Sequence, residues 1–142
     1  MVRNKAVSYA LMAMVDIAER AAGDPPTEVQ AADVATRLGL PTAYTAKVLS
    51  SLARASLLRS DRGPRGGFQL AREAKSITVF DILQAVGAWS SGDLSFSPTA
   101  SPRLRQALDE ALVRAMAKAQ EVLQELKLSD LLEQPAPVGA TA

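Results

Sequence analysis

Apolar residues recur at three- and four-residue spacing from the start of the chain: Val7, Ala10, Leu11, Met14, Ile17, Ala18 and Ala21. That period predicts one amphipathic helix from about Asn4 to Ala22, capped by Asn4 and stopped by Gly23-Asp24-Pro25-Pro26. A shorter stripe of Ala31, Val34, Ala35 and Leu38 predicts a second helix. Gly39 suits the left-handed residue that ends a helix, and Pro41 suits the start of the next. A third helix to about Ala55 then turns Thr45, Val48, Leu49 and Leu52 inward. Two helices of this size around so short a turn make a helix-turn-helix.

The period changes after the third helix. Leu57-Leu58 and Phe68-Gln69-Leu70 are short apolar pieces around Arg62-Gly63-Pro64-Arg65-Gly66-Gly67, which reads as two strands joined by a tight basic turn. Glycines there permit positive φ at the tip, and Pro64 stiffens it. Ile77 to Asp81 opens a fourth helix with Thr78 and Asp81 at capping-box spacing, and Val79, Ile82, Leu83 and Val86 form its apolar face. Ser90 to Pro102 is rich in serine, proline and glycine and reads as a mobile loop.

A long helix follows, from about Arg103 to Lys127. Its stripe is Leu104, Ala107, Leu108, Ala111, Leu112, Ala115, Met116, Ala119, Val122, Leu123 and Leu126. Leu104, Ala115 and Leu126 repeat every eleven residues, which favours a nearly straight or slightly right-handed helix pair over a left-handed coiled coil. So broad a stripe exceeds what one side of a small module covers. The economical reading is a symmetric homodimer through this helix, and the alternative is a helix folded back over its own domain. Ser129 is expected to cap a last turn through Leu131-Leu132.

The fold expected is therefore mainly α with a small β-hairpin wing: a winged helix-turn-helix plus a long C-terminal dimerisation helix. Residues 1–87 are expected to form the winged helix-turn-helix domain, 88–102 a flexible loop, 103–133 the dimerisation helix and closing turn, and 134–142 a disordered tail.

Composition narrows the chemistry. The 142 residues include no cysteine and no histidine. Disulfides, thiolate nucleophiles, zinc fingers and imidazole bases are excluded, and iron–sulfur or haem ligation loses its usual donors. The remaining carboxylates, hydroxyls, lysines and tyrosines form no catalytic arrangement, so no enzyme, metal site or cofactor is expected. No apolar run approaches a membrane span and the first residues lack a secretory signal, so a cytoplasmic protein is expected. Residues 1–75 carry 11 basic and 7 acidic side chains, whereas 76–142 carry 5 and 8. A basic front half suits a polyanion held at one end.

On a helical wheel the outer face of the third helix presents Ala43, Ala46, Lys47, Ser50 and Arg54, with Thr42 at its start and Tyr44 on the flank. The first turns of such a helix enter the major groove, where Lys47 can donate to guanine and Ala43 or Ala46 can touch a thymine methyl. Thr42, Tyr44 and Arg54 suit phosphates. Arg62 and Arg65, carried with Gly63 and Pro64 on the wing, suit the minor groove. The competing reading from another class is a winged helix whose basic face meets a protein.

From Tyr9-Ala10 through the fourth helix the sequence resembles the Rrf2 family of bacterial winged-helix regulators, which includes an iron–sulfur cluster regulator and a cysteine-metabolism repressor. The resemblance is carried by Ala35-x-x-Leu38-Gly39-Leu40, Tyr44, Leu49, Leu52, Arg62-Gly63-Pro64-x-Gly66-Gly67-Phe68-x-Leu70 and Ile77-Thr78-Val79-x-Asp81-Ile82-Leu83. It implies a homodimer on pseudo-palindromic promoter DNA, usually as a repressor, with Arg62 as the wing arginine and Ala43, Tyr44, Ala46 and Lys47 at the reading positions. Three departures stand out. Ala46 and Lys47 replace a common glutamate and glutamine, Arg65 replaces a common glycine, and serines and a threonine occupy the loop where relatives carry three cysteines. An iron–sulfur sensor is therefore not expected. A small ligand near Trp89 and Phe96, a protein effector, or no effector at all are the remaining means of control.

Overall fold

The computed structural model describes residues 5–22, 28–61, 67–89 and 97–132. The Asn4 cap, the Gly23–Pro26 stop, the wing tip at 62–66, Ser90 to Phe96 and the tail from 133 onward lie outside the described residues.

Helix α1 (Lys5–Ala21) is the centre of the fold, buried along Ala10, Ala13, Met14, Ile17 and Ala18. It touches α2 (Ala31–Leu38) and α3 (Thr42–Arg54), and its apolar stripe seals the inner faces of both. Asp16 fastens α2 to α1, because its carboxylate accepts from Arg37 Nε at 3.1 Å and Nη2 at 2.7 Å. A two-point pair of this kind fixes orientation as well as distance. Arg37, one of the front half's cations, is thereby committed to the fold.

The turn between α2 and α3 forms as its residues dictate. Gly39 sits at φ 67°, in the left-handed region, and Leu40 N–H donates to Ala35 O at 2.8 Å. Pro41 precedes α3 as its cap residue, and its carbonyl accepts both Thr45 N–H (3.0 Å) and Thr45 Oγ1 (2.8 Å). That second bond satisfies the one polar side chain among the buried described residues. Thr45, Val48, Leu49 and Leu52 face inward as the sequence pattern requires.

After α3 the chain reverses at Ser56, whose φ of 62° is a left-handed geometry without glycine. Leu57 N–H then donates to Leu52 O at 3.0 Å, and Leu57 packs as a fully buried residue before the strand proper begins. Strands β1 (Leu58–Ser60) and β2 (Phe68–Leu70) pair antiparallel, with Leu58 opposite Leu70 and Ser60 opposite Phe68. The hairpin is wider than the sequence suggested. Val29 adds a third, one-residue strand to its outer edge, exchanging hydrogen bonds with Phe68 at 3.1 and 2.8 Å. This explains Gly67 differently from expectation: a Cβ there would lie 3.0 to 3.1 Å from the Val29 backbone. Gly67 permits close approach of two chains, not a positive φ.

A 3-10 turn over Ala74–Ser76 leads into α4 (Val79–Ala85). The capping box forms in full, with Asp81 N–H on Thr78 Oγ1 and Thr78 N–H on Asp81 Oδ2, both at 3.0 Å. Val79, Ile82 and Leu83 are buried as expected, and Phe80 joins them by packing edge-on against Trp89 (centroids 5.4 Å apart). Gly87, at φ 70°, ends the helix.

Helix α5 (Pro102–Glu125) opens with Ser101 Oγ accepting from Leu104 N–H at 3.2 Å and Pro102 in the first turn. It stops two residues short of the expected Lys127, because Leu126 and Lys127 become extended and pair with the start of α4. Leu126 O accepts from Val79 N–H (2.9 Å), and Leu128 N–H donates to Ile77 O (2.8 Å). The closing turn is α6 (Leu128–Leu131), and its cap differs from expectation. Lys127 holds the cap position, where Asp130 Oδ2 accepts its N–H at 2.9 Å, and Ser129 lies inside the helix. Leu128 is fully buried in the same cluster as α1 and α3, so the end of the chain helps to build the core of its beginning.

Candidate nucleic-acid interface

Inward-facing residues on α3 fix what it can present outward. With Thr45, Val48, Leu49 and Leu52 seated on α1 and α2, the 100° step per residue leaves Thr42, Ala43, Lys47, Ser50 and Arg54 exposed on one side. Ala46 and Tyr44 are half-buried at its edges. The Tyr44 ring stands edge-on against Tyr9, with centroids 5.3 Å apart at 82°, so it is partly a packing residue that fixes α3 on α1. Arg54 Nη2 donates to Ser51 Oγ at 3.1 Å.

The strands that carry the wing leave β1 immediately beside the end of α3, and α3 packs against β1. Asp61 N–H donates to Gly67 O at 3.0 Å, which closes the ladder across the base of the tip. Arg62, Gly63, Pro64 and Arg65 lie in the tip itself, outside the described residues. The base is well held: Gln69 of β2 donates to the Glu28 carboxylate and accepts from Arg59 Nη2 at 3.4 Å. Helix and wing base are thus packed together, with exposed basic groups along them.

Two basic residues were not singled out from the sequence. Arg59 is exposed on β1, and Arg72, 44% exposed, follows β2 with its guanidinium 4.0 Å from Asp81. Period-two alternation puts Arg59 on the face opposite the buried Leu58, which is the signal that could have found it. Arg72 had none, because it lies in a bend whose direction local pattern does not specify.

Among the described residues the apolar stripe of α5 is covered only in part, by α4. No residue of this 24-residue helix is buried, and Leu104, Leu108, Val113, Val122 and the adjoining Leu126 are 38 to 67% exposed. Leu112, Met116 and Leu123 are half-buried, whereas Ala111, Ala115 and Ala119 are exposed. Trp89 is half-buried on Phe80, and Phe96 lies outside the described residues.

The family model described as Rrf2, "Iron-dependent Transcriptional regulator", matches residues 3–134. Among similar proteins, one of Mycobacterium tuberculosis named as an HTH-type transcriptional regulator is 34% identical over 131 residues, covering 87% of this chain and 76% of its own length. The HTH-type transcriptional regulator IscR of Cereibacter sphaeroides is 35% identical over 134 residues, covering 88% and 83%. Among solved structures, CymR, the global cysteine regulator of B. subtilis, superposes with a TM-score of 0.69 at 25% identity over 92% of this chain and 95% of that one. T. potens IscR superposes with a TM-score of 0.68 at 27% identity over 100% and 93%.

The iron in the family's description finds no fit in this chain. There is no thiolate or imidazole to offer, and among the described residues no three carboxylates converge on a point. A soft iron–sulfur site needs sulfur donors that the chain lacks. No helix among the described residues is long and apolar enough to cross a membrane. The recognition helix, the strands of the wing and the long helix follow one another as a winged helix-turn-helix with a C-terminal extension, and the chain belongs to the Rrf2 family of DNA-binding transcriptional regulators.

Proposed function

We propose that the protein works in the cytoplasm as a homodimeric repressor without an iron–sulfur cluster. Each copy sets α3 into the major groove of one half of a pseudo-palindromic operator and its wing into the flanking minor groove. Lys47 reads bases with Ala43 and Ala46, whereas Thr42, Ser50, Arg54 and the Tyr44 hydroxyl position the helix on phosphates. Arg62 and Arg65 enter the minor groove from a tip shaped by Gly63 and Pro64. The observation that carries this reading is the exposed basic face of α3 set beside the base of a basic hairpin.

The bare stripe of α5 supports pairing of two copies. Fully burying a leucine or valine contributes ~1.5–3 kcal/mol, and the exposed ones here have about half of that still to gain. Four such residues of the stripe from each copy, Leu104, Leu108, Val122 and Leu126, supply on the order of 10 kcal/mol, comparable with the ~4–15 kcal/mol that association costs. Leu112, Met116 and Leu123, with Ala111, Ala115 and Ala119 allowing close approach, then decide the affinity. Control by a small ligand bound between the wing domain and the long helix near Trp89 and Phe96, by a protein effector, or by protein concentration alone fits a chain that lacks its relatives' cysteines.

Selection of bound fragments from random duplex DNA tests the function and returns the operator. A two-fold symmetric motif is the expected product. Enrichment of nothing, or DNA binding whose affinity hardly changes with salt, would favour a protein-docking winged helix instead, since contacts to phosphates weaken with a log–log slope of about −0.9 each. Light scattering at micromolar concentration should give twice the chain mass.

A further inference from the structure

The flank of α3 that faces α4 borders a groove in two parts. In the first, Tyr44 and Lys47 stand opposite Ala6 and Val86. In the second, Arg54 stands opposite Arg72, Asp81 and Gln84. Ser51 lines both and stands where the two parts meet. Lys47 and Arg54 are seven residues apart, about 10 Å along the helix axis at 1.5 Å per residue. Arg72 then continues the line of cations from α3 across to the chain that enters α4.

The second part is a recess of about 340 Å³ open to solvent. At roughly 30 Å³ per water, it has room for a phosphate group and its hydration. Arg54 and Arg72 both border it, and each guanidinium offers a planar fork that matches two phosphate oxygens. Arg54 is steadied by its bond to Ser51 Oγ. Arg72 is only loosely held: at 4.0 Å from Asp81 it has a charge contact, not a hydrogen bond, and that carboxylate oxygen already accepts from Thr78 N–H. With Asp81 counted, the recess carries a net charge of about +1, enough to attract an oxyanion but not to hold one alone.

We propose that this groove is a phosphate track, and that the recess between Arg54 and Arg72 receives a backbone phosphate of duplex DNA beyond those met by the outer face of α3. The proposal rests on the DNA-binding reading and extends its footprint to Arg72 and Gln84. A duplex suits the groove better than a free phosphate ion does. Arg54 and Arg72 border the recess beside the face of α3 offered to the major groove, and the backbone of a duplex held on that face brings a phosphate to a recess whose own charge is too small to hold a free ion.

The test is a salt series of duplex binding by the full chain and by three variants. Arg72→Gln should lower the log–log salt slope by about 0.9, and should weaken an operator and an unrelated duplex by the same factor. Gln84→Lys should tighten both duplexes several-fold, and Gln84→Glu should weaken both. A folding defect cannot produce the gain with Gln84→Lys, so this pair decides the matter even if Arg72→Gln is unstable. In parallel, inorganic phosphate and pyrophosphate are titrated into the DNA-free protein while the arginine side-chain NMR signals are followed. Weak, unsaturated shifts are expected.

A wild-type protein that binds duplex DNA while the variants keep its slope and affinity would overturn the track. Saturable phosphate binding at Arg72, with the DNA slope unmoved, would also overturn it by giving the recess to a free anion. A wild-type protein that binds no duplex at all removes the DNA-binding reading and the track together, which separates that failure from the other two.

Discussion

Helices α1 and α5 carry the same kind of apolar stripe and meet opposite fates. Five residues of the 17 in α1 are buried, because α2, α3, β2, α4 and α6 close around it. None of the 24 in α5 is buried, although α4 packs against it. Periodicity reports that a face must be covered, and says nothing of whether the cover comes from the same chain. In α1 the cover is intramolecular, so its stripe contributes to folding. In α5 the described residues of the same chain cover the stripe only in part, where α4 packs against it, and the proposed second copy is what would cover the rest.

Four substitutions sharpen this contrast. Leu128→Ala, just past α5 but fully buried in the core, should cost about 2–5 kcal/mol of stability in urea titrations. A loss below 1 kcal/mol would mean that the closing turn is dispensable. Gly67→Ala should cost about 1–2 kcal/mol, because the added Cβ presses on the Val29 backbone at 3.0 Å and the edge strand must move. Hydrogen exchange at Val29 and Phe68 should rise in that variant while α3 stays protected. Thr78→Ala removes one half of the capping box and should cost about 1 kcal/mol, read as a lower thermal midpoint. Smallest in stability is Leu108→Ala, 38% exposed in α5, expected within about 0.5 kcal/mol when measured on the isolated chain. Its effect should appear instead in the concentration dependence of the light-scattering mass. An equal loss for Leu108→Ala and Leu128→Ala in dilute protein would erase the distinction between the two helices.

What was legible in the residues was what depends on near neighbours. Gly39, the Thr78–Asp81 cap and the four inward positions of α3 all follow from spacing of four residues or fewer, and all formed. What was missed depends on distant partners. Val29 is a single apolar residue in a polar stretch, and only the arrival of Phe68, far along the chain, makes it a strand. Leu126 and Lys127 continue a perfectly helical pattern, yet two backbone hydrogen bonds to Ile77 and Val79 pull them into extended geometry. Phe80 is buried because Trp89 returns past it after Gly87 reverses the chain. The outer residues of α3 were readable by subtraction from its inner ones, whereas Arg72 became visible only once α3 and α4 stood side by side.

The stitching of Leu126 and Leu128 onto the doorstep of α4 has a mechanical result. A long helix joined to a reading head by a slack tether lets the head swing, and two such heads would tolerate targets of many separations. Here the far end of the rod is laced by main-chain bonds to the very residues that start the neighbouring helix, so rod and head turn together. In a paired molecule the distance between the two heads would then behave like the opening of a fixed caliper. Spacing between half-targets would be as strict a requirement as their letters.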